Sequence, residues 1–239
     1  MHNRENSTWE SFWKENPIGF NATMSQATLF FSQQLQKVLP SKLSDRFLDI
    51  GCGPGFFVNA IKDKCELVHG TDISEKYIQL CKQQYAQYPN ISFSVTKAYD
   101  YEKYHQLIID NSISKLLILS MLQYYKSEAD VKELILSLNN TSKHQKFTCL
   151  LADIIPTDHS TLGDILSIIK HAVKNGYTLK FLRFLIFAVF SDYRKIKKNG
   201  MLQIDKSFFN DIAKELGLKI EFVNNLTLHS GRYSVLIYF

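Results

Sequence analysis

Between residues 46 and 154 short apolar runs alternate with stretches whose apolar residues recur at helical spacing. Residues 25–39 read as a helix, closed by Pro40, which cannot continue it. Arg46 to Ile50 (RFLDI) reads as a strand, and Phe57, Val58 and Ile61 follow on one helical face. Leu67 to Thr71 predicts a second strand. Ser74 then caps a helix with Tyr77, Ile78, Cys81 and Tyr85 on one side. Ile91 to Val95 is a third strand. Lys115 to Leu119 (KLLIL) is a fourth, continuously apolar at its core as a strand buried on both faces should be. Ser127 caps a helix carrying Val131, Leu134, Ile135 and Leu138, and Lys146 to Ile154 closes the series as a fifth strand. His105 precedes strand-like residues and is read as structural.

Past the fifth strand the pattern changes. Ile165, Ile168, Ile169, Ala172 and Val173 share a face, so residues 163–198 predict one or two helices, with Gly176 as a stop. Asp205 then caps a helix with Phe208, Phe209, Ile212 and Leu216 on one face, ended by Gly217. Leu218 to Val223 and Tyr233 to Phe239 are two strands with no helix between them, and such strands pair antiparallel. The whole predicts an α/β protein: a doubly wound, mostly parallel, Rossmann-like sheet that ends in an antiparallel strand. One domain is expected, made of an N-terminal helical segment (1–40), a core (41–156), a helical cap (157–203) and a closing helix with two strands (204–239).

Composition adds limits. A 45% hydrophobic content over 239 residues suffices for one sizeable core. The longest apolar run, Phe184 to Phe190, is far short of the roughly 20 residues that span a bilayer, and the N-terminus lacks a secretory signal pattern. Cys52, Cys65, Cys81 and Cys149 form no CxxC pair and no metal-ligand spacing, so no metal is expected and a reduced, cytoplasmic protein is. Residues 170–200 hold eight Lys/Arg and one Asp, out of 28 Lys/Arg and 23 Asp/Glu in the chain, so the basic excess belongs to that segment.

The first strand runs straight into GCGPG. Alternating glycines let backbone approach a ligand and turn sharply, and the following helix offers unpaired N–H groups. Asp72, 21 residues past Gly51 at the end of the second strand, is where a carboxylate can hold both hydroxyls of a ribose. A dinucleotide fingerprint would need glycine at position 56, where Phe56 stands.

With the loop and the acid in place, LDIGCGPG resembles motif I of the class I S-adenosylmethionine (SAM)-dependent methyltransferases, and GTDIS resembles their second-strand acidic motif. The final antiparallel pair is also similar to that family. The resemblance implies SAM as cofactor. It implies that Asp49 and the loop backbone (Gly51, Cys52, Gly53, Gly55) hold the amino-acid part, that Asp72 holds the ribose, and that Ile73 lies against the adenine. The adenine edge falls to the VTKAYD segment. Lys97 stands there where the family often has an acid, with Ala98 next and Asp100 as an alternative. LSMLQYY resembles the segment after the fourth strand, placing Ser120, Met121 and Tyr124 on the cofactor. ADIIP and RYSVLIYF are similar to bacterial members from cell-envelope sugar and secondary-metabolite pathways.

SAM carries an activated methyl, so such a protein mainly aligns the acceptor and excludes water. A base is needed only where the acceptor must lose a proton. His229 and Asp153 are the candidate catalytic residues, and Trp13, His159 and Tyr233 the candidate acceptor contacts. Absence of [DN]PP[YF] and of a Pro-Cys pair argues against DNA-base methylation. The expected acceptor is a small molecule or glycan, methylated at oxygen or nitrogen. Residues 180–198 offer an amphipathic basic face for a membrane surface or lipid-linked substrate. The alternatives are an RNA methyltransferase using the basic segment, and a SAM-binding subunit without catalysis.

Overall fold

The computed structural model describes residues 21–158 and 200–239, with Ile169 and Val173 between them. Trp13, His159, most of the predicted cap and the basic segment 180–198 lie outside the described residues. Helix α1 (Asn21–Val38) leads into β1 (Arg46–Ile50), α2 (Phe56–Ile61), β2 (Leu67–Asp72), α3 (Glu75–Gln84) and β3 (Ile91–Val95). Then come α4 (Tyr101–Asp110), β4 (Lys115–Leu119), a 3-10 turn (Leu122–Tyr124), α5 (Glu128–Thr141) and β5 (Thr148–Ile154). Helix α6 (Lys206–Leu216), β6 (Lys219–Asn224) and β7 (Tyr233–Tyr238) finish the chain.

The seven strands form one sheet in the order β3-β2-β1-β4-β5-β7-β6. Strands β1 to β5 are parallel, and β7 runs antiparallel between β5 and β6. Alternate strand residues feed two cores. On one face Phe47 meets Phe31, Leu35, Phe57, Val58 and Ile61 of α1 and α2, with Ile78 and Cys81 of α3. On the other, Leu48 and Ile50 meet Tyr104 and Ile108 of α4, Val131 and Leu134 of α5, and Phe209 and Ile212 of α6.

Both serine caps occur as expected: Ser74 accepts from the Tyr77 N–H and Ser127 from the Asp130 N–H, each at 3.4 Å. Gly217 ends α6 with φ 66°, the left-handed cap that glycine tolerates. Asp205 stands at the α6 N-cap position, but its carboxylate takes the Thr157 hydroxyl at 2.7 Å instead of a helix N–H. Helix α4 corrects the reading of the segment around His105. Leu107 and Ile108 look like strand residues in isolation, yet with Tyr104 they are the buried stripe of a helix capped by the Asp100 carboxylate at 3.2 Å from the Lys103 N–H.

The last feature that positions the site is a bulge. Leu151 pairs with Val235 and Ile154 with Tyr233, so β5 carries one residue more than its partner. An extra residue re-aims a side chain, and here it lies beside Asp153, whose φ is +68°.

Candidate active site

A cavity of about 320 Å³ opens at the C-terminal ends of β1, β2, β4 and β5. That is the ligand edge expected of such a sheet and a size suited to small molecules. Its walls are mainly apolar and aromatic: Met24, Ala27 and Phe31 from α1, Phe56 and Phe57 from α2, Tyr99 and Tyr104 at α4, and Met121, Tyr124 and Tyr125 after β4. The polar groups gather at two ends.

One end is the glycine loop. Gly51, Gly53 and Gly55 have φ of 79°, 50° and 76°, a region in which side chains are strained. At Gly51 space also matters, since a Cβ would sit 3.1 Å from Met121 Sδ. The loop is tied to β2: the Gly51 and Cys52 N–H groups donate to the Thr71 carbonyl at 2.7 and 3.0 Å. Asp72 completes the tie, accepting from the Gly53 N–H at Oδ2 and the Ser74 N–H at Oδ1, both at 2.8 Å. Each oxygen keeps a further lone pair for a ligand hydroxyl. Burial raises the Asp72 carboxyl above its usual range, although these N–H groups and that of Ile73 pull the other way.

Asp49, at the end of β1, is 3% exposed and lines the same cavity. Burial first, and then the nearby Asp72 carboxylate, push it up to about 8; no cation or hydrogen-bond donor among the described residues offsets them. A desolvated carboxyl beside a ligand cavity fits a cationic group such as the ammonium of SAM. The sign of the linkage follows. Below pH 8 the ligand-free carboxyl is mostly protonated, and an ammonium binds its ionised form, so binding expels a proton. SAM affinity is expected to rise between pH 6 and 8, by up to about tenfold per pH unit. Calorimetry at pH 7 in two buffers of different ionisation enthalpy should show proton release in the wild type and none in Asp49→Asn. A flat pH dependence would contradict this.

The other end is built around Asp153. Its side chain is 2% exposed, and its carboxylate accepts four hydrogen bonds. Oδ1 takes Thr227 Oγ1 at 2.9 Å and His229 Nδ1 at 3.0 Å; Oδ2 takes Ser120 Oγ at 2.7 Å and Arg232 Nη1 at 2.8 Å. Burial opposes the charge on Asp153, but Arg232 and His229, with the bonds from His229 and Ser120, outweigh it and hold the carboxyl well below the usual carboxylate range. Ser120 (φ 53°) and Asp153 both leave their strands in the left-handed region, backbone strain of a kind that collects at functional sites. The β6–β7 loop reaches this point because Tyr233 pairs with Ile154, which sets residues 227–232 over the end of β5.

The structure therefore brings Asp49, Gly51, Cys52, Gly53, Asp72, Ile73, Ala98, Ser120, Met121, Tyr124, Asp153 and His229 to one cavity. It moves four others away. Gly55 caps α2 and shapes the turn from outside the cavity wall. Lys97 is exposed and points no contact at the cavity. Asp100 caps α4. Tyr233 is buried with its hydroxyl donating to the Ile204 carbonyl at 2.7 Å, a structural role. Asp153 already accepts four hydrogen bonds among the described residues, one of them from His229. Arg232, Thr227 and Gln123 were not anticipated. The antiparallel pairing of the last strand was the available signal for the first two, since it requires the loop before β7 to pass the end of β5.

Strand order, glycine loop and second-strand acid together define the class I methyltransferase fold. Residues 47–143 match the family model described as a methyltransferase domain. No curated protein sequence matches the chain. Among solved structures, the SAM-bound magnesium protoporphyrin IX methyltransferase of Synechocystis PCC 6803 is similar at 13% identity, with 99% of this chain and 98% of that chain covered and a TM-score of 0.53. Phosphoethanolamine N-methyltransferase 1 of Haemonchus contortus, complexed with phosphoethanolamine and S-adenosylhomocysteine, is similar at 13% identity, covering 97% of this chain and 47% of that one, with a TM-score of 0.60. A Haloferax volcanii complex of the Trm112 methyltransferase activator with a putative methyltransferase aligns at 12% identity over 96% of each chain, with a TM-score of 0.56. At such identities these likenesses are of fold. With the domain match, they give the chain the class I methyltransferase fold. Among the described residues no helix is long and apolar enough to cross a membrane.

Proposed function

We propose that the chain methylates a hydroxyl oxygen of a small, largely apolar acceptor, with His229 as general base. The observation that carries this reading is the 3.0 Å bond between His229 Nδ1 and the Asp153 carboxylate on the cavity wall. An ionised, fully bonded Asp153 holds the proton on Nδ1 and leaves the lone pair on Nε2, the arrangement that accepts a proton from an alcohol or phenol. An amine acceptor needs no such base once neutral. The aromatic walls, including the edge-to-face pair Tyr99 and Tyr125 at 4.9 Å between ring centroids, suit a flat apolar body better than a glycan.

In this reading Asp49 holds the cofactor's ammonium, Asp72 its ribose and Ile73 with Ala98 its adenine. Bound SAM supplies a methyl on a sulfonium: the S–CH3 bond breaks as an O–CH3 bond forms, leaving S-adenosylhomocysteine. Asp153 fixes the ring, His229 takes the hydroxyl proton, and the apolar walls exclude water. Four buried free thiols suit a reducing cytoplasm.

The test is an assay of S-adenosylhomocysteine release with a panel of phenols and alcohols, their methyl ethers, and matched amines. Turnover is expected with the hydroxyl compounds and none with the ethers. Turnover confined to the amines would overturn the assignment.

A further inference from the structure

We infer that Arg232 is a positioning residue that sets the protonation of His229 through Asp153. The inference rests on the reading of His229 as the base. A buried carboxylate alone beside an imidazole both orients the ring and binds its proton tightly, and a ring that keeps its proton cannot accept another. Arg232 separates the two effects. Its guanidinium holds Asp153 Oδ2 at 2.8 Å while His229 takes Oδ1 at 3.0 Å, so guanidinium and imidazole share one anion. The Arg232 side chain is only 11% exposed, against 25% for His229, which keeps the charge pair poorly screened. Toward His229 the Asp153–Arg232 pair presents a fixed hydrogen-bond acceptor with little net charge.

The other described groups on the same cavity do not supply this balance. Ser120 and Thr227 donate to Asp153 without charge. The turn after β4 contributes Tyr124 and Tyr125, and α1 contributes Met24 and Thr28. Asp49 and Asp72 also line the cavity; ligand-free Asp49 is mostly protonated below pH 8, whereas an ionised Asp72 would favour the imidazolium. Among the described residues that line the cavity, Arg232 is the cation that opposes it.

The test is an NMR titration of the His229 ring nitrogens in the ligand-free protein, paired with the pH profile of kcat/KM. In Arg232→Met the His229 midpoint is expected to rise by about one pH unit or more. At pH 7 kcat/KM should then fall, by at most about tenfold per unit of that rise, and recover by pH 9. Arg232→Lys, which keeps the charge, should hold the wild-type midpoint, and Asp153→Asn should move it the opposite way. Arg232→Gln serves the same purpose if the Met variant does not fold. An unchanged midpoint in Arg232→Met, or equal losses at every pH in the Lys and Met variants, would overturn the inference. The NMR readout needs no acceptor, so it stands apart from failure to find a hydroxyl substrate.

Discussion

His229→Gln is expected to lower kcat by about 10²- to 10⁴-fold, the usual worth of a general base, while SAM affinity changes by less than about threefold. Glutamine can still donate to Asp153 Oδ1, where His229 Nδ1 now sits at 3.0 Å, so the buried carboxylate stays bonded and the loop stays in place. What it lacks is a basic nitrogen toward the acceptor. The glycine loop, Asp49 and Asp72 belong to other strand ends, which is why cofactor binding should survive. Steady-state kinetics with a hydroxyl acceptor, beside a SAM titration, would measure both quantities. A kcat within about threefold of wild type would remove His229 from the mechanism.

Asp72→Ala is expected to weaken SAM binding by about 100-fold or more. The substitution deletes acceptors for the ribose hydroxyls, each such bond to a charged group being worth about 1.5–3 kcal/mol. It also releases the Gly53 and Ser74 N–H groups from their 2.8 Å bonds, so the loop loses its tie to β2 just where the ligand needs it rigid. Asp72→Asn keeps a carbonyl oxygen and should lose less. A calorimetric titration of both variants, with a thermal melt to show that each is folded, gives the comparison; wild-type affinity in Asp72→Ala would contradict the role.

The pieces legible in the sequence were those whose cause is local. LDIGCGPG needs its glycines because their φ values are positive, and an acid 21 residues on marks the end of β2. Serines at positions 74 and 127 announce helix starts because the cap bond spans three residues. The Asp153 end was less legible, since it depends on contacts between residues 33 to 79 positions apart. His229 and Asp153 were singled out as separate candidates, and only the pairing of β7 with β5 joins them. Arg232 has no local signature at all; it reads as a surface residue of a hairpin loop until the bulge in β5 aims Asp153 at it. Helix α4 was hidden for the opposite reason, a local resemblance of Leu107–Asp110 to a strand that tertiary packing of Tyr104, Leu107 and Ile108 overrides.

The central claim is that the cavity at the glycine loop binds SAM, and calorimetric titration of the purified wild-type protein with SAM and with S-adenosylhomocysteine tests it most directly. Saturable one-to-one binding of both, in roughly the micromolar range and lost in Asp72→Ala, is the predicted result. A folded wild-type protein that binds neither ligand would contradict the account.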